Sequence, residues 1–144
     1  MTRIEFLHDA PDRLAAAAAW LRNASRKRRQ VLVFTPEPHV TDQLDRALWA
    51  QPATGFIPHC RANSPLAAET PIILVESLAE IPRDDCLLNL SNELPTGFAR
   101  FEEVVEIVST SDADRLPARE RFKFYRERGY EIKAQNIAEG IRDE

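Results

Sequence analysis

The chain has 144 residues, 44% of them hydrophobic and 29% charged; this is the composition of one globular domain and excludes a disordered tail, a collagen-like chain or a coiled coil. Its 19 basic and 23 acidic residues leave a net charge of −4, which argues against a whole-surface electrostatic grip on DNA or RNA. Its 4 glycines are too few for a function built on a glycine-rich phosphate loop.

Taken in chain order, Arg3-Ile4-Glu5-Phe6-Leu7 alternates apolar and polar residues and reads as a first strand. Asp9 is placed to cap a helix that starts near Pro11 and runs through the alanine stretch to about Asn23, with Leu14, Ala17, Ala18 and Leu21 on one face. After the basic run Arg26-Lys27-Arg28-Arg29 comes Val31-Leu32-Val33-Phe34, an unbroken apolar run of the kind buried on both faces of a parallel sheet. Thr35-Pro36-Glu37-Pro38 reads as a loop. Thr41 then caps a second helix over about 42–50, with Leu44, Ala47 and Leu48 inward.

Phe56-Ile57 reads as a brief strand and 58–70 as a loop. Ile72-Ile73-Leu74-Val75, Cys86-Leu87-Leu88-Asn89-Leu90 and Val104-Val105-Glu106-Ile107-Val108 read as three further strands. The last helix starts within Ser111-Asp112-Ala113-Asp114, with Asp114 the simplest cap and Pro117 in the first turn, and it stops at Gly129. Tyr130-Glu131-Ile132 reads as a last edge strand, and the tail after about Ala134 as frayed. The alternation of strands and helices gives a single α/β domain over 1–144, a largely parallel sheet flanked by helices, Rossmann-like in topology.

The chemistry of that topology is not written in these loops. The first strand is followed by His8-Asp9-Ala10-Pro11 and the second by Thr35-Pro36-Glu37-Pro38, and neither offers bare backbone amides for a phosphate. His8, His39 and His59 lack ligand spacing, Cys60 and Cys86 form no C-x-x-C, and no G-x-S-x-G elbow occurs, so no metal, cofactor or catalytic residue is expected. No apolar leader follows the N-terminus, and the alanine run is short of the roughly 20 residues of a membrane span, so a cytoplasmic protein is expected.

Two surfaces read as binding sites. Residues 115–133 hold seven basic and three acidic side chains, so the segment is +4 and the remainder −8. At roughly 100° per residue, Arg115, Arg119, Lys123 and Arg126 form a stripe less than a quarter turn wide, with Phe122 and Tyr125 along one edge. Such a stripe is either a solvated basic face, a groove for an acidic peptide with an aromatic anchor, or a contact for nucleic acid. Trp49 lies about 100° from Leu48 and so off the inward face of the second helix. With Phe56 past the following turn, it forms either a partner surface or a satellite cluster.

Three blocks, Ala47-Leu48-Trp49-Ala50-Gln51-Pro52, Phe56-Ile57-Pro58-His59 and Ala118-Arg119-Glu120-Arg121-Phe122-Lys123-Phe124-Tyr125-Arg126, resemble the chi subunit family of the bacterial DNA polymerase III holoenzyme. The resemblance spans nearly the whole chain. It implies a non-catalytic accessory subunit in DNA replication that bridges the clamp loader, through the psi subunit, to the acidic C-terminal tail of single-stranded DNA-binding protein, which ends in proline-phenylalanine. It places the tail at Arg119 and Lys123, surrounded by Arg115, Phe122, Tyr125 and Val108, and the psi subunit at Trp49 and Phe56; Arg126, of the same stripe, is expected to contact the tail as well. Phe122 stands where the family carries tyrosine. DNA is then contacted only indirectly. The rivals are a small α/β enzyme with an unrecognised site and a direct nucleic-acid-binding module using the basic helix.

Overall fold

The computed structural model describes residues 2–50, 57–78 and 83–141. Its elements are β1 (Arg3–Ala10), α1 (Arg13–Arg26), β2 (Val31–Phe34), α2 (Pro38–Trp49), β3 (His59–Arg61), β4 (Ile72–Val75), β5 (Cys86–Asn89), β6 (Glu103–Ser109), α3 (Asp112–Glu127) and β7 (Glu131–Asn136). The seven strands form one sheet in the order β3-β4-β2-β5-β6-β1-β7, and every pairing is parallel. This is the expected α/β architecture.

Sheet order explains the layers. The chain moves one way across the sheet through α1 and α2 and the other way through α3. Right-handed crossovers therefore put α3 on the opposite face from the first two helices. The core divides accordingly. Ala17, Leu21, Leu44 and Leu48 pack with Val31, Leu74, Leu88 and Ile107 on one face, and Ala118 and Tyr125 pack with Phe6, Leu32, Val104 and Val108 on the other. Side chains alternate between these cores along β6, which is why its polar member, Glu106, lies on the α3 side between Val104 and Val108.

Several boundaries differ from the sequence reading, each for an identifiable reason. β1 continues to Ala10, with Asp9 in the left-handed region at φ 63° where the β1–β6 register shifts. The Asp9 carboxylate accepts from Asn136 there, and Asp12 instead caps α1, accepting from the Ala15 amide at 3.1 Å. α2 begins earlier than 42 because Pro38 occupies its first turn, a position that suits a residue without an N–H. Thr41 is thus inside the helix, where its hydroxyl donates to the Thr35 carbonyl at 3.0 Å. The stretch read as a loop after Pro58 contains the short edge strand β3. β7 runs past Ala134 to Asn136, and Ile137 is buried with its amide donating to the His8 carbonyl, so the chain is ordered beyond the point read as frayed.

The start of α3 is the most informative correction. Ser111, not Asp114, is the cap, accepting from the Ala113 amide at 3.2 Å. Pro117 therefore sits inside the helix and leaves the Ala113 carbonyl without its usual donor. The Asn92 side-chain amide fills that vacancy at 3.2 Å. Asp114 instead accepts from the Ser109 hydroxyl at 2.6 Å, with Asn92 at 3.2 Å and the Arg13 guanidinium at 3.4 Å. Arg13 also donates to the Ile107 carbonyl at 2.7 Å and the Ser91 carbonyl at 2.8 Å, so this cluster ties α1 and α3 to the carboxyl ends of the sheet.

Partial burial opposes ionisation of Asp114, but Ser109, Arg13 and Asn92 outweigh it and hold the carboxyl below the usual aspartate range. A lowered folded value means the stabilisation is present above the unfolded value of 3.8 and is lost as pH falls through the folded one. Asp114→Asn is expected to cost about 1.5–3 kcal/mol near neutral pH. Urea titrations at several pH values should find this deficit shrinking as the parent's own Asp114 becomes protonated.

Candidate interaction sites

α3 turns its two faces to different tasks. Its inner face carries Ala118, Arg121 and Tyr125, all buried. Arg121 sits on the side of the helix opposite the basic stripe, and the strand below presents Glu106, which is fully buried. Glu106 accepts from Arg121 Nε and Nη2, both at 3.1 Å, from the Tyr125 hydroxyl at 3.0 Å and from Asn89 Nδ2 at 3.1 Å. Burial, followed by the neighbouring Glu106 carboxylate, pushes the Tyr125 phenol well above its usual range, so it remains a donor. Arg121 Nη1 is the one buried side-chain polar atom without a partner among the described residues. The Glu106 centre fixes the rotation of α3 about its axis, and with it the direction in which the opposite face points.

That outer face carries Arg115, Arg119, Lys123 and Arg126, all exposed. Arg115 pairs with Asp112 one turn back. Arg126 lies over the Phe122 ring at 5.8 Å. Among the described residues no ion pair engages Arg119 or Lys123, so both are available to an acidic ligand. Phe122 is half-buried and packs edge-on to Phe6, with 5.2 Å between centroids. Leu116, 51% exposed, flanks the stripe on the side away from Phe122.

Two assignments at this site need correction. Tyr125 is not exposed beside the stripe: at 0% exposure its ring is core, packed against Phe6, Phe98 and Tyr130, because its hydroxyl reaches Glu106. Val108 is likewise buried, as an inward residue of β6. Both support the surface from beneath, and Phe122 is the aromatic ring that borders it. Arg121, counted in the basic segment, contributes no surface charge because it is consumed by Glu106.

The second surface lies at the far edge of the sheet. Trp49 is 61% exposed, as its helical position predicts; Phe56 lies outside the described residues. A hollow of about 540 Å³ beside Trp49 is lined by Pro58, His59, Cys60, Leu66 and Thr70. Leu66, 59% exposed, is an apolar contact the sequence reading missed, since it sits in a loop with no periodicity to mark it. Beneath the hollow, α2 and β3 are joined by polar side chains: His59 lies in hydrogen-bond contact with Asp45 at 2.9 Å, and Arg61 pairs with Asp42 at 2.8 Å and with Asp45 at 3.3 Å.

Burial pushes the Cys86 thiol up to about 12, which makes it unreactive. Among the described residues no group of three or more His, Cys, Asp or Glu could hold a metal, and no helix is long and apolar enough to cross a membrane.

The fold is a parallel α/β domain with an exposed basic stripe on α3 and an exposed tryptophan at the end of α2, on opposite faces and toward opposite ends of the sheet. Comparison with known proteins carries the description further. The family model described as DNA polymerase III chi subunit, HolC, matches residues 1–133. The chain is 35% identical to DNA polymerase III subunit chi of Pseudomonas aeruginosa over 143 residues, covering 95% of this chain and 98% of the relative. It is 32% identical to the same subunit of Escherichia coli over 118 residues, covering 81% and 77%, and 28% identical to that of Haemophilus influenzae over 123 residues, covering 85% and 82%. The chain belongs to the DNA polymerase III chi subunit family and so to the accessory proteins of DNA replication.

Proposed function

We propose that the chain is a non-catalytic cytoplasmic adaptor, joining the clamp loader to single-stranded DNA-binding protein. The psi subunit docks on the surface around Trp49, and the acidic C-terminal tail of single-stranded DNA-binding protein docks on α3. The observation that carries this reading is the stripe of four exposed cations, two of them without ion-pair partners among the described residues, bordered by Phe122 in a chain whose net charge is −4. A tail rich in carboxylates and ending in an aromatic residue complements both features.

The separation of the two surfaces supports a bridge: α2 and β3 carry one at the β3 edge, and α3 carries the other against β6 and β7 on the opposite face. Two partners placed this way do not compete for the same residues. In the tail site the terminal ring lies against Phe122, Arg119 and Lys123 hold the terminal carboxylate, and Arg115 and Arg126 attract the upstream acids. Tyr125 and Val108 form the floor beneath.

Exposed hot-spot aromatics typically cost about 2 kcal/mol or more when truncated at an interface. Trp49→Ala is therefore expected to weaken psi binding by roughly 30-fold and to leave the melting temperature of the isolated chain nearly unchanged, because the ring is mostly in solvent. Titration calorimetry with purified psi, paired with thermal denaturation, tests this. A large fall in melting temperature with unaltered affinity would assign Trp49 to the fold and remove this docking surface.

A further inference from the structure

We propose that His59, clamped between Ile57 and Asp45, is a positioning residue that holds the Trp49 indole in its outward docking pose. This rests on Trp49 being a docking residue. The imidazole ring is buried, its side chain 1% exposed. Nδ1 lies 2.6 Å from the Ile57 carbonyl oxygen and Nε2 lies 2.9 Å from Asp45 Oδ1. Each ring nitrogen thus has a partner of its own, one on the chain just before β3 and one on α2, and the ring has no freedom left to rotate. Its centroid lies 5.1 Å from that of Trp49, the planes tilted by 59°. The fixed ring packs against an indole that is 61% exposed; a neighbour that cannot move narrows the rotamers open to that indole before any partner arrives, and a preorganised hot spot binds more tightly than a mobile one.

The placement follows from two periodicities. Asp42, Asp45 and Trp49 fall on one face of α2, and His59 and Arg61 on one face of β3. Asp42 and Asp45 face the clamp from α2, and Arg61 faces it from β3. The neighbouring strand β4 meets His59 at Ile72, which is apolar. Arg61 bonds Asp42 and Asp45 at once and so steadies the carboxylate that holds the imidazole.

The test uses Trp49 as its own reporter. The chain has two tryptophans, and Trp20→Phe leaves only Trp49. In that background His59→Gln and Asp45→Ala are compared by acrylamide quenching, fluorescence anisotropy and titration with psi. The Asp45 side chain is 25% exposed, so its variant loosens the clamp without disturbing the buried ring itself. Both variants are expected to alter quenching, lower anisotropy and weaken psi binding by about tenfold, equivalent to about 1.4 kcal/mol. Asp45→Asn, which keeps a side chain able to hydrogen-bond Nε2, should restore all three toward the parent. Unchanged quenching and anisotropy in both variants would overturn the proposal. Altered quenching with unaltered psi affinity would support the positioning of the indole and overturn instead the reading of Trp49 as a docking residue.

Discussion

Replacing Glu106 with alanine is expected to destabilise the domain by about 3–5 kcal/mol, a large share of the roughly 5–15 kcal/mol that holds an ordinary domain folded. The cost arises on the partner's side. Arg121, 4% exposed, would keep its charge with no carboxylate to meet it, and the Tyr125 hydroxyl and Asn89 amide would lose an acceptor in the same place. Arg121 already leaves Nη1 unbonded, so no slack remains. Arg121→Met alone should cost a similar amount by stranding Glu106. The double replacement Glu106→Leu with Arg121→Met should be much nearer neutral, because removing both charges ends the desolvation penalty. Urea unfolding followed by circular dichroism measures all three. Additive losses in the double variant would mean that the two residues do not act as a pair.

Reversing charge at the free centre of the stripe is expected to have the largest effect on binding. Arg119→Glu with Lys123→Glu removes two exposed ion pairs, each worth about 0.2–1 kcal/mol, and puts two carboxylates against an acidic tail, a like-charge juxtaposition that costs more than the lost pairs. Affinity for the tail should fall by more than about 100-fold. Both side chains are exposed and have no ion-pair partner among the described residues, so stability should change by no more than about 0.5 kcal/mol. Fluorescence polarisation with a labelled tail peptide reads the first effect and thermal denaturation the second. Tight binding by the doubly reversed variant would place the tail elsewhere.

Much of this was legible in the sequence because it depends on periodicity. The unbroken apolar strands read directly as buried parallel strands, and the outward stripe of α3 and the off-face position of Trp49 follow from 100° per residue. What periodicity did not disclose were contacts between distant segments. Ser111 and Asp114 are equally good caps in isolation; Ser109, Asn92 and Arg13 claim Asp114, and only the fold brings them together. Asp9 reads as a cap until β1 is seen to continue through it beside Asn136. The burial of Tyr125 and Arg121 had a signal that can now be recognised: a single glutamate amid Val104, Val105, Ile107 and Val108 must find donors, and the positions i and i+4 on the adjacent helix supply them. His59 beside Cys60 suggested at most a ligand pair; in the fold their side chains turn to opposite sides of β3, one toward Asp45 and the other into the core that faces α3.

The central claim, that α3 reads both the charge and the terminal ring of an acidic tail, is tested most directly by calorimetry with two peptides. One is the C-terminal tail of single-stranded DNA-binding protein ending in proline-phenylalanine; the other is the same peptide without its last residue. Burying a phenylalanine side chain is worth about 1.5–3 kcal/mol, whereas each exposed ion pair adds only about 0.2–1 kcal/mol and is screened by salt. The intact tail should therefore bind with a dissociation constant on the order of micromolar after the ordering of a flexible segment, and the shortened tail should bind barely at all, at low salt as at high. Equal affinity for the two peptides, falling steeply with salt for both, would contradict the account and leave α3 with nothing more than nonspecific charge attraction.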